Sequence, residues 1–540
     1  MTFLPPPSIR AIPAGHIDTP SPDTALRRGA LSIRGWALFP SEPTARVELW
    51  LGEELLGRAR LGFPRPDVAD CFDFPAAAVS GFEFTANLAE WDGDDGGAIL
   101  RTSVTSVTGD CFELEAIPLT VSPPKRPRPS SLAPLAPRTP YAAKDSGRRL
   151  LVCTHQLNFG GAQFYLLDLL RELVKNGAVS PTVVSAMDGR TRMDFEDLGI
   201  PVHISSSVPS DDLSSHIGRV EELAVWAEGR DFEVALVNTS TSLAFPGAEA
   251  TAQLEIPTVW AIHESFAPPV LWSGLDPRIR GRAEAALASA SAVVFEAEAT
   301  QRLYEPPLDA SRCLTMPYGL DLAPIQRERS SFDQTTVRRE VGIPDGADVL
   351  LCVGTIEPRK AQIPLAQAFE LIADRHPGAL LVFVGGSTKP DSLALADYIM
   401  ASRWHNRMML VPITPDVQRW YGIADVLVCA SDVESLPRTV LEAMAWETPV
   451  LATNVFGLSE LISDGESGWL CEPGDIAVLA EALDQVLSTT PEQRERMAHA
   501  ARELVEEKHS LDGYADQIAD LLDRASHGKP AAPLGNVATH

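Results

Sequence analysis

The chain has 540 residues, 45% of them hydrophobic and 22% charged, and a formal net charge of −28. This length exceeds what one hydrophobic core supports and predicts about three or four domains, and the composition is typical of a globular protein. The acidic balance argues against binding of duplex nucleic acid, which requires a basic stripe. It leaves room for a small anionic ligand, because such a site depends on local charges.

No stretch approaches the roughly 18 to 20 apolar residues that a membrane-spanning helix requires. The first 15 residues also lack the apolar segment of a secretory signal. The seven cysteines are scattered without CxxC spacing, and several lie in apolar segments. Buried free thiols are therefore favoured over disulfides or a metal site. Together these features predict a cytoplasmic protein, with at most peripheral contact at the inner face of the membrane.

The first part of the chain predicts a small all-β domain between two unstructured segments. Residues 1–25 are rich in proline and predict a disordered tail, and residues 123–147 predict a Pro-rich linker. Between them, residues 26–122 alternate apolar and polar positions in short runs, which is typical of an antiparallel β-sandwich. Its tryptophans could either line a sugar platform or belong to the core, namely Trp36, Trp50 and Trp91.

From residue 148 onward, apolar strand-like runs alternate with helical patterns, which predicts layered α/β domains with parallel sheets. The sequence divides into an N-terminal half over residues 148–327 and a C-terminal half over 328–525, with a disordered tail over 526–540. The predicted fold is therefore α/β, with two Rossmann-like domains and a cleft between them. Ligands of such sheets bind beyond the carboxyl ends of the strands.

The stretch Ser431–Val450 carries the most chemical information. An apolar strand leads into a polar loop with Glu434, and Pro437 then opens a helix that contains Glu442. Free N–H groups and the positive dipole end at a helix N-terminus favour an anion. The flanking carboxylates can accept hydrogen bonds from hydroxyl groups, so a nucleotide sugar fits this pattern.

Several loops at predicted strand ends carry further candidate residues, each with a plainer alternative. The pair Gly160-Gly161 could admit an acceptor or a phosphate, or be only a tight connection. His263 could donate to a sugar hydroxyl or be a satisfied structural residue. Arg359 and Lys360 could neutralise a leaving diphosphate, or be a solvated pair. Gly385 belongs to a second turn that allows close approach.

The segments GTIEPRK, ITPDV, YGIADVLVCAS, ESLPRTVLEAMA and PVLATNVFGLSELI, in this order, resemble glycosyltransferase family 4. In the N-terminal half, GGAQ, WAIHES and MPYGLD agree with the order of that family. The resemblance spans roughly residues 149–522 and implies the GT-B fold with retention of anomeric configuration. Residues 26–122 resemble accessory β domains that precede some bacterial glycosyltransferases.

The resemblance implies a role for each matching position. Glu434 would contact the donor sugar, and Glu442 the ribose hydroxyls. Arg359 and Lys360 would stabilise the departing diphosphate without a metal, and His263 would touch the transferred sugar. The diphosphate would be held by amides around residues 435–439, and the base by the backbone around Ile413. The expected donor-binding set comprises Glu442, Ser435, Leu436, Pro437, Arg438, Thr439, Ile413, Gly354, Thr355, Gly385, Gly160 and Gly161.

Two positions depart from the family pattern. Thr355 stands where arginine is frequent, so the phosphate clamp would depend on Arg359 and Lys360. Glu447 replaces the usual glycine after the helix, where a left-handed C-cap would be strained.

The sequence therefore predicts a retaining hexosyltransferase of polysaccharide biosynthesis, with a nucleotide diphosphate sugar as donor and neither cofactor nor metal. The acceptor would be a glycan, a polysaccharide or a lipid-linked molecule, and no nucleic acid would bind. Two alternatives remain: a catalytically weak glycan-binding protein that works through its sandwich, and a GT-B sugar phosphorylase or hydrolase.

Overall fold

The computed structural model describes residues 12–22, 24–27, 30–72, 75–88, 91, 96–122, 147–205, 212–304 and 308–528. The linker predicted over 123–147 lies outside the described residues except for Gly147, and so do both chain ends, up to residue 11 and from residue 529. Contacts between Cα atoms divide the chain into two units. The first contains the N-terminal β domain with residues 323–434 and 438–505, and the second contains 147–322, 435–437 and 506–528.

The N-terminal domain is a two-sheet β structure, as the alternating pattern predicts. Its elements are β1 (Ala14–Thr19), β2 (Thr24–Arg27), β3 (Ala30–Leu38), β4 (Thr44–Leu51), β5 (Glu54–Arg58), β6 (Arg60–Phe63), α1 (Pro66–Ala69), β7 (Gly81–Asn87), β8 (Gly96–Ser106), β9 (Cys111–Glu113) and β10 (Ile117–Ser122). One sheet has the order β1-β3-β7-β6 and the other β2-β10-β8-β4-β5, with β9 beside β8. All these pairs are antiparallel except β2 with β10. Every second residue of β4 is buried, which is the period of a half-buried strand.

The predicted tail over residues 1–25 is wrong from Ala14 onward. Strand β1 pairs with β3 along its length, with Gly15 opposite Ala37, and β2 pairs with β10. The prolines around this segment suggested disorder. However, β1 and β2 are edge strands, and proline is tolerated there because its missing N–H faces no partner strand. Pairing partners more distant in sequence therefore decided the structure.

The three tryptophans do not form a shared platform. Trp91 is buried, and the half-buried Trp36 packs against Phe72 with ring centroids 5.8 Å apart. Trp50 lies on the other sheet from Trp36, with the Arg101 guanidinium 5.9 Å from its ring centroid. Two of the three rings thus contribute to packing, which favours the core interpretation.

The N-terminal α/β half has a seven-stranded, wholly parallel sheet in the order β13-β12-β11-β14-β15-β16-β17. Its strands are β11 (Arg148–Thr154), β12 (Val179–Ser185), β13 (Val202–Ile204), β14 (Val234–Asn238), β15 (Thr258–Ile262), β16 (Ala292–Phe295) and β17 (Cys313–Thr315). Its helices are α2 (Gly161–Lys175), α3 (Arg192–Asp197), α4 (Leu213–Glu228), α5 (Phe245–Gln253), α6 (Pro268–Leu271), α7 (Pro277–Ser289) and α8 (Glu298–Arg302). Strands β14, β15 and β16 are buried at every residue, because helices cover both faces of such sheets.

The C-terminal half has a six-stranded parallel sheet in the order β20-β19-β18-β21-β22-β23. Its strands are β18 (Asp348–Val353), β19 (Ala379–Gly386), β20 (Met408–Pro412), β21 (Val426–Cys429), β22 (Val450–Thr453) and β23 (Trp469–Cys471). Its helices are α9 (Leu322–Ser330), α10 (Gln334–Glu340), α11 (Gln362–Ile372), α12 (Pro390–Ala401), α13 (Gln418–Ile423), α14 (Arg438–Ala445), α15 (Phe456–Leu461), α16 (Ile476–Ser488) and α17 (Pro491–Lys508). Strand order reverses beside β18, so the loops after β18 and β21 adjoin the switch point, where ligands of such sheets bind.

The final helix, α18 (Leu511–Ser526), belongs to the second unit together with the N-terminal half. The hydroxyls of Tyr165 and Tyr514 lie 2.6 Å apart, and both side chains are buried. The predicted C-terminal boundary of 328–525 therefore includes a helix that packs elsewhere. Helical periodicity identifies the helix but carries no information about its packing partner. The predicted tail also begins three residues too early, since residues 526–528 continue this ordered end.

Five of the seven cysteines are buried, all seven are free thiols, and Cys111 is exposed. Among the described residues, no helix is both long enough and apolar enough to cross a membrane.

Candidate functional site

Two cationic side chains and one carboxylate meet at the end of the C-terminal sheet. Arg359 and Lys360 lie on a short 3-10 turn (Pro358–Lys360) after β18, and Glu434 lies in the loop between β21 and α14. Lys360 Nζ donates to Glu434 Oε2 at 2.9 Å, and Arg359 Nη1 donates to the same oxygen at 3.3 Å. The structure thus brings three of the four predicted catalytic residues together.

Glu434 remains ionised in these surroundings. Burial opposes its charged form, but the charges of Lys360 and Arg359 outweigh burial and lower the pKa of Glu434 to about 2. Ser431 Oγ also donates to this carboxylate, at 3.3 Å. The exposed fraction is only 13% for the Glu434 side chain and 15% for that of Lys360, so water screens the pair weakly.

Backbone and side-chain contacts tie the two loops of this site together. Arg359 donates from Nε to Glu357 Oε2 at 3.1 Å and from Nη1 to the carbonyl oxygen of Val433 at 3.1 Å. In the other direction, the Asp432 N–H donates to the Arg359 carbonyl oxygen at 2.8 Å. A shift of either loop would therefore move the other.

The predicted glycine turns after β18 and β19 face each other. Gly385 has φ +141°, and a Cβ there would lie 1.9 Å from the carbonyl oxygen of Gly354. Only glycine allows this approach. Thr355 Oγ1 donates to Glu357 Oε1 at 2.9 Å, and Gln362 donates to the Thr355 carbonyl at 3.0 Å. Thr355 thus supports the 3-10 turn that carries Arg359 and Lys360, called the cationic turn below, without adding a charge.

Ile413, at the predicted base-binding segment, follows β20 with 48% of its surface exposed. Its backbone N–H donates to the carbonyl oxygen of Gly386 at 2.9 Å, which fixes the course of this loop. An exposed apolar side chain on a fixed backbone suits a flat aromatic ligand.

Glu442 is buried on α14, and both of its oxygens have protein donors. Arg438 Nε donates to Oε1 at 2.7 Å, and the Tyr421 hydroxyl donates to Oε2 at 2.9 Å. A carboxylate has about four acceptor positions, so these bonds leave capacity for a ligand hydroxyl. Tyr421 was missed from the sequence, although it lies in a segment that matches the family, because nothing in its spacing shows that it reaches Glu442. Thr439, also on α14, is half-buried.

Glu447 adopts the left-handed conformation that the sequence predicts, with φ +58°. Arg329 and Arg502 both donate to its carboxylate, the latter at 2.9 Å. The His499 ring lies 3.5 Å from the same carboxylate. Ion pairs thus hold Glu447 in a strained backbone conformation, at a position where the family pattern has glycine.

In the second unit, His263 follows β15, and both of its ring nitrogens have protein partners. Nδ1 faces Glu296 Oε1, and Nε2 faces Asn238 Oδ1 at 2.7 Å. The Asn238 amide nitrogen donates to the Ala162 carbonyl at 3.2 Å, which directs its oxygen toward the ring. Because both partners offer acceptor oxygens, they favour the doubly protonated imidazolium form of the ring. Burial opposes this charge, but Glu296 outweighs it and raises the pKa of His263.

This arrangement favours the structural interpretation of His263, and its contact with a sugar stays a prediction. Beside it, Glu264 accepts from Ser240 N at 2.9 Å and from Ser240 Oγ at 2.8 Å, and the Thr239 hydroxyl donates to it as well. Thr239 has φ +83°, which is uncommon for a β-branched residue. Glu264 thus holds a strained turn at the end of β14. Asn238, Glu296 and this turn were not found from the sequence, since each pairing joins distant strands.

Gly160 and Gly161 begin α2, and they differ in the space around them. A Cβ on Gly160 would lie 2.5 Å from Gln163 Oε1. A Cβ on Gly161 would meet no other described residue within 4 Å, apart from its chain neighbours and the backbone of its own helix. Ser435, Leu436 and Pro437 group with this unit and are buried. Within the described residues, no three His, Cys, Asp or Glu side chains are grouped so that they could hold a metal ion.

Two family models match the chain. The model described as Glycosyl transferases group 1 matches residues 333–504, and that described as Glycosyltransferase Family 4 matches residues 159–323. Together they span most of both α/β halves, and neither match extends into the β domain.

Curated relatives include two proteins named D-inositol 3-phosphate glycosyltransferase. The one from Xylanimonas cellulosilytica is 27% identical over 404 residues, which is 69% of this chain and 93% of the relative. The one from Catenulispora acidiphila, named D-inositol 3-phosphate glycosyltransferase 2, is 35% identical over 223 residues. That match spans 38% of this chain and about half the length of the relative.

Solved structures share the fold. Anabaena Alr3699/HepE in complex with UDP has a TM-score of 0.59 at 22% identity, covering 70% of this chain and 99% of that one. WaaG, a glycosyltransferase involved in lipopolysaccharide biosynthesis, has a TM-score of 0.54 at 18% identity, covering 69% and 99%. The two parallel sheets therefore belong to the GT-B fold.

Proposed function

We propose that this chain, which belongs to glycosyltransferase family 4, transfers a hexose from a nucleotide diphosphate sugar with retention of the anomeric configuration. The acceptor is a glycan, a polysaccharide or a lipid-linked molecule. Transfer takes place in the cytoplasm, with at most peripheral contact at the membrane, and it requires no divalent metal.

The observation that carries this proposal is the double ion pair of Glu434 with Arg359 and Lys360. Two cations on one turn, at the end of a parallel strand, suit the two negative phosphates of a nucleoside diphosphate. In the structure, Glu434 occupies the position of the anion that these cations attract. When a diphosphate replaces it, the carboxylate becomes free to accept hydrogen bonds from the hydroxyls of the donor sugar.

The cations also account for transfer without a metal. As the bond between the anomeric carbon and the diphosphate oxygen breaks, negative charge accumulates on the diphosphate, and fixed positive charges stabilise it. The acceptor oxygen forms its bond to the anomeric carbon on the face that the diphosphate leaves. Its proton passes to a diphosphate oxygen, so neither Glu434 nor Glu442 has to act as base.

Names of related proteins guide the choice of donor. Complexes of HepE hold UDP and UDP-glucose, which makes UDP sugars the first candidates. The relatives named for D-inositol 3-phosphate make phosphorylated polyols a reasonable class of small acceptor to include beside glycans.

The test is a thermal-shift screen of the full chain with UDP, GDP and ADP and with their glucose sugars, each with and without EDTA. Binding raises the unfolding midpoint by mass action, so a shift for one nucleotide identifies the base. Turnover is then measured as nucleoside diphosphate release, with and without glycan acceptors, in the wild type and in Glu434→Gln.

We expect EDTA to leave the shift unchanged and Glu434→Gln to abolish most acceptor-dependent release. The matched control is Glu466→Gln, which removes an exposed carboxylate from a turn of the same half and should keep full activity. Equal release without any acceptor would instead indicate a hydrolase. No shift with any nucleotide, or full activity in Glu434→Gln, would refute the proposal.

A further inference from the structure

The β domain and the C-terminal half form one packed body. A single hydrophobic core runs from the sandwich through helices α11 and α16, joining Val47 and Leu61 to Phe369 and Leu483. At the same boundary, Arg46 Nη1 donates to Asp475 Oδ2 at 3.1 Å, and Asp475 caps the N-terminus of α16. The β domain therefore shares its core with the C-terminal half, which carries the cationic turn.

Strand β6 is the part of the sandwich that reaches the site. It packs against the 3-10 turn of Arg359 and Lys360 and against α11, which follows that turn. Leu61 of β6 and Ala361 line the same cavity, together with Pro364 and Asp432. Both loops that carry the ion pair thus adjoin β6.

Ala361 shows why this support matters. It directly follows Lys360, is buried, and has φ +51° and ψ +35°. The left-handed conformation is strained for a residue with a side chain and persists only where the surroundings impose it. Here the surroundings that face Ala361 include Leu61.

Gly62 fixes how closely β6 approaches. It has φ +86°, and a Cβ there would lie 2.9 Å from Pro364 Cδ and 3.0 Å from Ile363 Cβ. Both contacts are to the first turn of α11, which follows the cationic turn. A side chain at this position must therefore push α11 away from β6.

We propose that strand β6 of the N-terminal domain is a positioning element of the donor site, which holds the turn 358–361 so that Lys360 and Arg359 face the diphosphate. Leu61 and Gly62 act through this turn and touch no substrate. The inference rests on the proposed function, because it assigns the β domain to that same site.

The test compares Gly62→Ala with Gly52→Ala. Both glycines belong to the β domain and have positive φ, +86° and +63°, so both variants carry backbone strain. Apart from its chain neighbours, no residue in the described part of the chain has an atom within 4 Å of a Cβ on Gly52, so of the two variants only Gly62→Ala displaces α11. For each protein the experiment measures UDP affinity by calorimetry, kcat and donor KM, and the unfolding midpoint.

Because misplacement by about 1 Å can reduce a rate about 100-fold, we expect Gly62→Ala to lower kcat/KM for the donor roughly 10- to 100-fold. Donor KM and the Kd for UDP should rise with it, because the displaced turn carries both cations that face the diphosphate. Gly52→Ala should retain wild-type values. A merely structural role would lower the midpoint and the active fraction in both variants while leaving KM and Kd unchanged, and that result would overturn the inference.

Leu61→Val serves if Gly62→Ala does not fold, because it removes one methylene beside Ala361 and keeps the backbone. It should raise the Kd for UDP in the same direction, and an unchanged Kd would count against the inference. The two proposals fail differently: a wild type that binds no nucleotide refutes the function, whereas equal binding by wild type and Gly62→Ala refutes only the role of β6.

Discussion

Lys360 Nζ lies 2.9 Å from Glu434 Oε2, although 74 residues separate the two in the chain. The contact joins the loop after β18 to the loop after β21, whose strands are neighbours in the sheet. The pair neutralises a cation whose side chain is only 15% exposed. A diphosphate that binds here must therefore compete with Glu434 for the same positive charges.

Lys360→Ala should lower kcat/KM for the donor by roughly 100- to 1000-fold, the range seen when one charge-stabilising donor is removed. It should also raise the pKa of Glu434, because the largest favourable charge beside that carboxylate is lost. Steady-state kinetics with the donor found by the nucleotide screen measures the first effect.

The matched control is Lys389→Ala, which removes an exposed lysine of the same half. It should retain wild-type kinetics. If Lys360→Ala changed kcat/KM no more than this control does, the diphosphate would not depend on the cationic turn.

Glu434→Gln tests the competition directly. Without the carboxylate, Arg359 and Lys360 lose the anion that holds them, so UDP alone should bind at least as tightly as it binds wild type, while sugar transfer falls. Calorimetry with UDP, set beside turnover, separates the two effects. A large loss of UDP affinity would show that Glu434 supports the diphosphate site rather than competing for it.

The alternation of strands and helices predicted both parallel sheets, because buried strands and glycine-bearing turns are local signals. The meeting of Arg359 and Lys360 with Glu434 could also be predicted, since all three follow neighbouring strands of one sheet. The partners of Glu442 and His263 could not, because Tyr421 and Asn238 approach them through tertiary packing. Strand β1 and helix α18 were misassigned for the same reason: a local pattern does not reveal a distant partner.

A ribose role for Glu442 predicts that wild type binds UDP more tightly than 2′-deoxy-UDP. A hydrogen bond to a charged group contributes about 1.5–3 kcal/mol, or about a 10- to 100-fold preference. Glu442→Gln should reduce this preference. Tyr421→Phe removes only the hydroxyl that donates to Oε2, so it should lower stability and leave the preference intact. Equal preference in wild type and Glu442→Gln would mean that Glu442 serves packing alone.

Asp432 should make stability depend on pH. Burial raises its pKa from 3.8 to about 7, against the opposing charge of Arg60 and the Gly474 N–H. The unfolded chain releases this proton near pH 4 and the folded chain near pH 7, so folding loses stability as pH rises between these values. Asp432→Asn stays neutral and avoids this loss.

The unfolding midpoint of Asp432→Asn should therefore exceed that of wild type by a margin that grows from pH 4 to pH 7 and is constant above. Thermal unfolding in buffers from pH 4 to pH 8.5 measures it. Asp345→Asn, in an exposed loop of the same half, is the control and should show a constant difference. A margin for Asp432→Asn that shrinks with pH would contradict the assignment.

Glu447 balances backbone strain against ion pairs, and two substitutions separate these terms. Glu447→Ala keeps the left-handed backbone, which costs about 1–2 kcal/mol for a residue with a side chain, and loses the contacts with Arg329 and Arg502. Glu447→Gly loses the same contacts but relieves the strain. Partly exposed ion pairs contribute about 0.2–1 kcal/mol each, so the unfolding midpoint of the glycine variant should lie close to that of wild type and that of the alanine variant clearly below it.

Thermal unfolding in 1 M salt gives a further check, because salt screens the ion pairs and should lower the midpoint of wild type relative to that of the glycine variant. An alanine variant as stable as the glycine variant would show that the φ of +58° imposes no strain at this helix end.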